Sequence, residues 1–205
     1  PERMGFGLLR VLNDDVVAPG RGFDTHPHKN MEIVSVPLAG ALRHEDSEGN
    51  RTVIQKGEVQ IMSAGTGVFH SEYNHSDTED VNFLQIWVMP RQIDIAPRYD
   101  QKAFAQEGRR GQFQTVVNPI GAGGGGVEIN QNAYFSLADL DDGQELAYAV
   151  KGQGNGVYLL VLEGGLKVDG VELKSRDAMA FSKYHGETLA AQGGCQVLLI
   201  EVPLA

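Results

Sequence analysis

Short apolar runs, broken at close intervals by turn-forming clusters, fill the chain from end to end. "EIVSVPLAG" (32–40), "EVQIMSAG" (58–65), "VNFLQIWVMP" (81–90), "GVYLLVLEGG" (156–165) and "CQVLLIEVP" (195–203) are rich in β-branched residues. Between such runs stand "LNDD", "DSEGN", "AGTG", "DLDDG" and "VDG". Their Gly, Asn and Asp residues supply the left-handed and side-chain-closed turns that end strands. No segment sustains a helical period over three turns. Many short strands with regular turn signals predict an all-β protein, a sandwich or a barrel. The stretch "IAPRYDQKAFAQE" (95–107) reads as a short helix or an irregular crossover.

The two halves repeat each other. Residues 32–64 and 157–182 each run through an apolar strand, a Gly, a polar strand, a turn, a second polar strand, another turn and an apolar strand. A repeat spaced by about 120 residues sets the architecture. It predicts two stacked antiparallel β-barrels, at residues 1–107 and 127–205, joined by a linker or crossover at 108–126. The "GAGGGG" run at 121–126 lacks the strand-to-helix context of a phosphate cradle and reads as a loop.

Charge and cysteine content narrow the function classes. The 205 residues carry a formal net charge of −10, a poor match for phosphate backbones, so no direct nucleic-acid partner is expected. Cys195 is the single cysteine, which rules out an intrachain disulfide and a Cys-built metal cluster; it reads as a small buried residue. No signal peptide and no apolar run of transmembrane length is visible, so no membrane partner and a cytoplasmic location are expected. The chain opens at "PERMGFG" without an initiator Met, and an N-terminal piece is expected to precede it.

Chemistry concentrates in two stretches. "FDTHPHKNME" (23–32) places His26 and His28 one residue apart, and "GTGVFHSEYN" (65–74) does the same with His70 and Glu72. Alternate residues of a strand share a face. If the two strands face each other inside a barrel, three imidazoles and one carboxylate converge. Such a set suits a divalent first-row metal, and open positions beside His and carboxylate ligands are typical of non-haem Fe(II) oxygenases. Pro27 cannot donate to a strand ladder, which predicts an edge, a bulge or a strand entry near a barrel mouth. His44, in "RHEDSEGN", and His75, in "YNHSDTED", read as members of solvated loops. His185 stands alone in the second half, so that half is expected to bind no metal in the same way.

These residues carry a resemblance. Gly20, His26, His28, Glu32 and Gly40 fill the places of the first cupin motif, with Gly40 one residue late. Gly57, Gly65, His70 and Asn74 fit the second motif, although Ser63 stands where Pro is usual and the Gly65–His70 interval is two residues longer than in the common form. Together with "MGFGLLRVLNDD", "QIMSAGTGVFHSEYN" and "LQIWVMP", the pattern resembles the pirin family, a bicupin group, most strongly from Met4 to about Tyr99.

The resemblance implies two jelly-roll-type barrels with one metal in the N-terminal barrel. Its ligands would be His26, His28, His70 and Glu72, with Glu32, the ligand in many other cupins, left as a supporting residue that accepts from a ligand His or simply lies on the strand. Fe(II) is the metal the family implies first, and Ni, Cu, Co, Mn and Zn also suit three His and one Glu. The implied activity is that of bacterial pirins similar to quercetin 2,3-dioxygenases. A flavonol, or another aromatic substrate, and O₂ are the partners. The metal lowers the pKa of the flavonol 3-hydroxyl, Glu72 as catalytic base takes its proton, the metal-bound flavonolate reacts with O₂ at C2, and the ring opens with release of CO. Phe23, Met31, Ile61, Phe69, Phe83 and Ile86 are candidate pocket walls, or core. The family also implies an alternative: an iron-dependent redox-sensing regulator, a transcriptional cofactor or metabolic regulator with a protein partner.

Overall fold

The computed structural model describes residues 5–204; the opening residues 1–4 of "PERMGFG" lie outside them. Strands follow one another along the chain: β1 (Leu9–Val17), β2 (Gly22–His28), β3 (Glu32–Ala39), β4 (Ala41–Asp46), β5 (Arg51–Gln55), β6 (Glu58–Ser63), β7 (Val68–Asn74), β8 (Val81–Val88), β9 (Arg98–Ala103), β10 (Gln114–Pro119), β11 (Val127–Ile129), β12 (Tyr134–Leu140), β13 (Glu145–Ala147), β14 (Asn155–Val168), β15 (Val171–Lys174), β16 (Ala178–Phe181) and β17 (Thr188–Pro203). The expected all-β class holds. Among the described residues, the helical content is a single 3₁₀ turn at Gln106–Arg109, and no helix is long and apolar enough to cross a membrane.

The stretch 95–107 is mainly the strand β9, with the 3₁₀ turn beginning only at Gln106. Tyr99 and Gln101 of β9 share a face and bond each other at 2.9 Å, while Gln101 also donates to the Val53 carbonyl at 3.0 Å. That polar inner face hides β9 from a test based on apolar alternation.

The chain forms two compact units. The first comprises Leu9–Phe104 with Val127–Gln131, and the second takes Ala105–Gly126 and the chain from Asn132 onward. The stretch 108–126, read above as a linker, carries β10 of the second unit, and its Gly run is a loop with left-handed Gly121, Gly123, Gly124 and Gly125.

In the first unit, a five-stranded sheet runs β1-β8-β3-β6-β9 and a four-stranded sheet runs β2-β7-β4-β5. Val17, Leu42, Ile54, Val81 and Phe83 form one apolar cluster between them, and Ile33, Met62 and Val68 form another, with Met31 and Trp87 packed against it. Each cluster draws residues from both sheets, so burial of apolar surface holds the layers together. The second unit orders its strands β10-β12-β17-β14-β15, with β13 on β17 and β16 on β14. Its core includes Leu159, Val161, Leu166, Val197 and Leu199. Cys195 is buried there and free, its thiol pushed up to about 11 by burial and by Asp139.

The repeat has a structural counterpart at two glycines. Gly40, with φ 72°, separates β3 from β4, and the two strands belong to different sheets. A Cβ there would lie 2.9 Å from the Asp80 carbonyl oxygen. Gly164, with φ 81°, occupies the matching place within β14, where the register with β17 is irregular. A Cβ at Gly164 would run into the Gly194 carbonyl oxygen. In both units the Gly lets a strand turn sharply where another backbone approaches closely.

Gly22 does a related job for β2. It lies opposite Tyr73 of β7, and a Cβ would run into the Glu72 carbonyl oxygen and lie 2.5 Å from Tyr73 Cα. Both obstacles are backbone, so the strands must part. Gly22→Ala is expected to destabilise the protein by about 1–3 kcal/mol, read as a lower urea midpoint. An unchanged midpoint would mean that β2 shifts freely.

Candidate metal centre

β2 is an edge strand of the four-stranded sheet, and its pairing with β7 shifts register between Phe23 and His26. Pro27 therefore sits where a missing N–H costs little, as expected. The alternation places His26 and His28 on one face, with ring centroids 4.8 Å apart. β7 lies beside β2 in the same sheet, with His70 directly opposite His26. The two motifs are thus hydrogen-bonded neighbours and do not face each other across a barrel. The His70 ring lies 4.4 Å from that of His26 and 4.9 Å from that of His28. One donor nitrogen from each of the three falls within 4.8 Å of the others.

Glu72 occupies a deeper position. With His44 and His70 it forms a second, wholly buried group of donors, again within 4.8 Å. Its carboxylate is held from the other sheet: Ser35 Oγ of β3 donates at 3.3 Å, and Gln85 Nε2 of β8 at 2.5 Å. Trp87 Nε1 donates to Gln85 Oε1 at 3.2 Å, which fixes the amide so that its NH₂ meets Glu72. The Trp87 ring also stands edge-on to His28, 4.9 Å away. A line of contacts thus runs from His28 through Trp87 and Gln85 to Glu72.

Burial sets the electrostatics. It lowers the His28 pKa to about 4, with the nearby His26 adding to the effect. It lowers His70 to about 3, aided by His26, His28 and His44. Both rings are therefore neutral near pH 7, the form that ligates metals. Burial pushes the Glu72 carboxyl up to about 7, against the hydrogen bonds from Gln85 and Ser35. His44 is also lowered by burial, which outweighs the pull of Asp46.

The residues present fit a cation. His28 Nε2 and both ring nitrogens of His70 are buried without a hydrogen-bond partner, an arrangement that is costly unless something else satisfies them. His26 Nδ1 lies 2.7 Å from the Asp24 carbonyl oxygen. Donation from Nδ1 leaves Nε2 with its lone pair, the usual way a protein orients a ligand imidazole.

Several expectations change. Glu32 is buried and accepts from Ser63 Oγ at 2.7 Å and from the Asn130 amide at 3.0 Å. Its carboxylate ties Val127–Gln131 to the sheet and is not engaged by a histidine. Its pKa is raised by burial despite those bonds. His44 is no loop residue: it lies on β4, fully buried, directly opposite Glu72. Its parity with buried Leu42 was the available signal. His75 and His185 are exposed. Of the candidate walls, Phe69 is 57% exposed and has opposite parity to His70. Ile61 and Ile86 both pair with Val34, on the sheet face opposite Ser35 and Gln85, so they point away from the histidines. Phe83 is core. Trp87, edge-on to His28, packs with Met31 on Ile33, Met62 and Val68, and Val68 is the cross-strand partner of His28.

Comparison with known proteins gives the family. Residues 1–88 match the pirin family, and residues 115–202 match the quercetinase C-terminal cupin domain. The chain is 39% identical over 204 residues to a quercetin 2,3-dioxygenase of Escherichia coli K12, covering 99% of this chain and 86% of that protein. It is 35% identical over 201 residues to a pirin-like protein of Caulobacter vibrioides, covering 98% and 86%. It superposes on the nickel(II) complex of the bacterial pirin YhhW from Escherichia coli with a TM-score of 0.92 at 37% identity, covering 100% of this chain and 86% of that one. By sequence and by structure, the chain belongs to the pirin family.

Proposed function

We propose that the protein is a metal-dependent dioxygenase of the quercetin 2,3-dioxygenase type, with His26, His28, His70 and Glu72 holding one divalent cation. The observation that carries this reading is the cluster of buried, partnerless imidazole nitrogens on His28 and His70 beside His26. Fe(II) is the proposed metal, with Ni, Cu, Co, Mn and Zn compatible with the same donors. When bound, the cation supplies a Lewis acid that acidifies the flavonol 3-hydroxyl and an open position for chemistry.

The chain's own residues do the rest. Glu72, fixed by Ser35 and Gln85, takes the 3-hydroxyl proton. Trp87 and Met31 offer apolar surface to the flat flavonol, and O₂ attack then opens the ring with loss of CO. We further propose that each of the two units is a jelly-roll barrel, the second without a metal of this kind.

Protein purified with Fe(II) is expected to carry about one metal per chain and, under air, to bleach quercetin with matched O₂ uptake and CO release. Chelation should cut the rate at least tenfold, by analogy with the ~10–100-fold effect of weakening a metal site. Fully metallated protein that leaves the flavonol intact would overturn the reading, and the other metals are run in parallel.

A further inference from the structure

His44 is not among the proposed ligands, yet its surroundings are built. Its ring is fully buried, and its Nε2 lies 3.1 Å from Asp46 Oδ2. Asp46 is itself held on every side: Asn50 Nδ2 donates to Oδ2 at 2.8 Å, and the amides of Glu48 and Asn50 donate to Oδ1, both at 3.0 Å. A carboxylate so placed only accepts, so the ring proton of His44 sits on Nε2. Nδ1 then presents a lone pair, and it is buried with no partner.

The unmet complement is adjacent. The His70 ring lies 5.3 Å from that of His44, and Asp46 is the cross-strand partner of His70. A neutral imidazole that gives one nitrogen to a cation keeps an N–H on the other, and that N–H needs an acceptor. The Glu72 oxygens are already engaged by Ser35 and Gln85. His44 Nδ1 is a buried acceptor with nothing to accept.

We propose that, with a cation bound, His44 Nδ1 accepts the hydrogen bond from the ring nitrogen of His70 that does not bind the metal. Asp46, His44 and His70 then form one line of hydrogen bonds that fixes the orientation of His70, and His44 is a positioning residue. The inference rests on the reading above that His70 is a ligand.

The test is competition of wild-type and variant proteins against a chromophoric chelator for Ni(II). His44→Leu removes the acceptor and is expected to weaken metal binding ~10–100-fold. His44→Asn places an amide oxygen near the Nδ1 position and is expected to recover most of that loss. Asp46→Asn puts a donor against Nε2, drives the ring proton to Nδ1, and is expected to weaken binding although His44 remains. Should His44→Leu fail to fold, the other two variants carry the comparison. Wild-type affinity in His44→Leu or in Asp46→Asn would overturn the proposal. So would His44→Asn binding as weakly as His44→Leu, because His44 would then be a ligand or a packing residue. A wild-type protein that binds no Ni(II) overturns the reading of the centre itself and is told apart by that result alone.

Discussion

His70→Ala is expected to purify almost free of metal and to lose quercetin turnover with it. A four-donor site binds with roughly 10–16 kcal/mol, so one donor accounts for about 3 kcal/mol, or on the order of 10²-fold in affinity. His70 stands in both donor groups, so its loss damages the outer trio of imidazoles and the inner pair with Glu72 alike. The metal-free variant should fold, because alanine also removes two buried nitrogens that have no partner. Metal content by atomic emission, beside circular dichroism, separates loss of the site from loss of the fold. The exposed His75 is the control, and His75→Ala should keep its metal. A His70→Ala protein with full metal and full turnover would remove the centre from the mechanism.

Glu72→Gln is expected to lower kcat by about 10²–10⁴, the usual worth of a positioned base, with a smaller effect on metal content. The amide has the shape of the carboxyl and can still meet Ser35 and Gln85, but it cannot take a proton. A variant that retains more than a tenth of wild-type turnover would show that the proton goes elsewhere. Stability gives a second readout in the metal-free protein. The carboxyl is raised from 4.5 to about 7 by burial, so the folded state holds a proton that the unfolded state has released between those values. Glu72 therefore contributes a loss of stability as pH rises from 4.5 through about 7, opposite in sign to the gain from His28 and His70, whose pKa values burial lowers to about 4 and about 3. Glu72→Gln removes this contribution, so its stability relative to wild type should rise across the same window in urea unfolding.

Much of the centre was legible locally. The pairs His26/His28 and His70/Glu72 share faces because a strand repeats every two residues, and that needs no partner to be true. Pro27 belonged at an edge because it lacks an N–H. His44 was misread because the charges of "RHEDSEGN" suggested solvent. Those charges are real, yet Asp46 spends its carboxylate closing the β4–β5 turn and holding His44, so the acid is buried. Gln85 and Trp87 passed unnoticed because β8 is apolar on both faces, and an amide in such a run gives no period of its own.

The sequence by itself determined the all-β class, the family and the two pairs of ligand-type residues, since each follows from local spacing and from turn-forming residues. Only the tertiary structure decided that β2 and β7 lie side by side, that His44 joins the inner group, and that Glu32 holds Asn130 while Glu72 reaches Ser35 and Gln85. Those outcomes depend on which distant strands become neighbours. That is set by burying both sheets against one core and by pairing every backbone group, and a two-residue period along one strand carries no information about it.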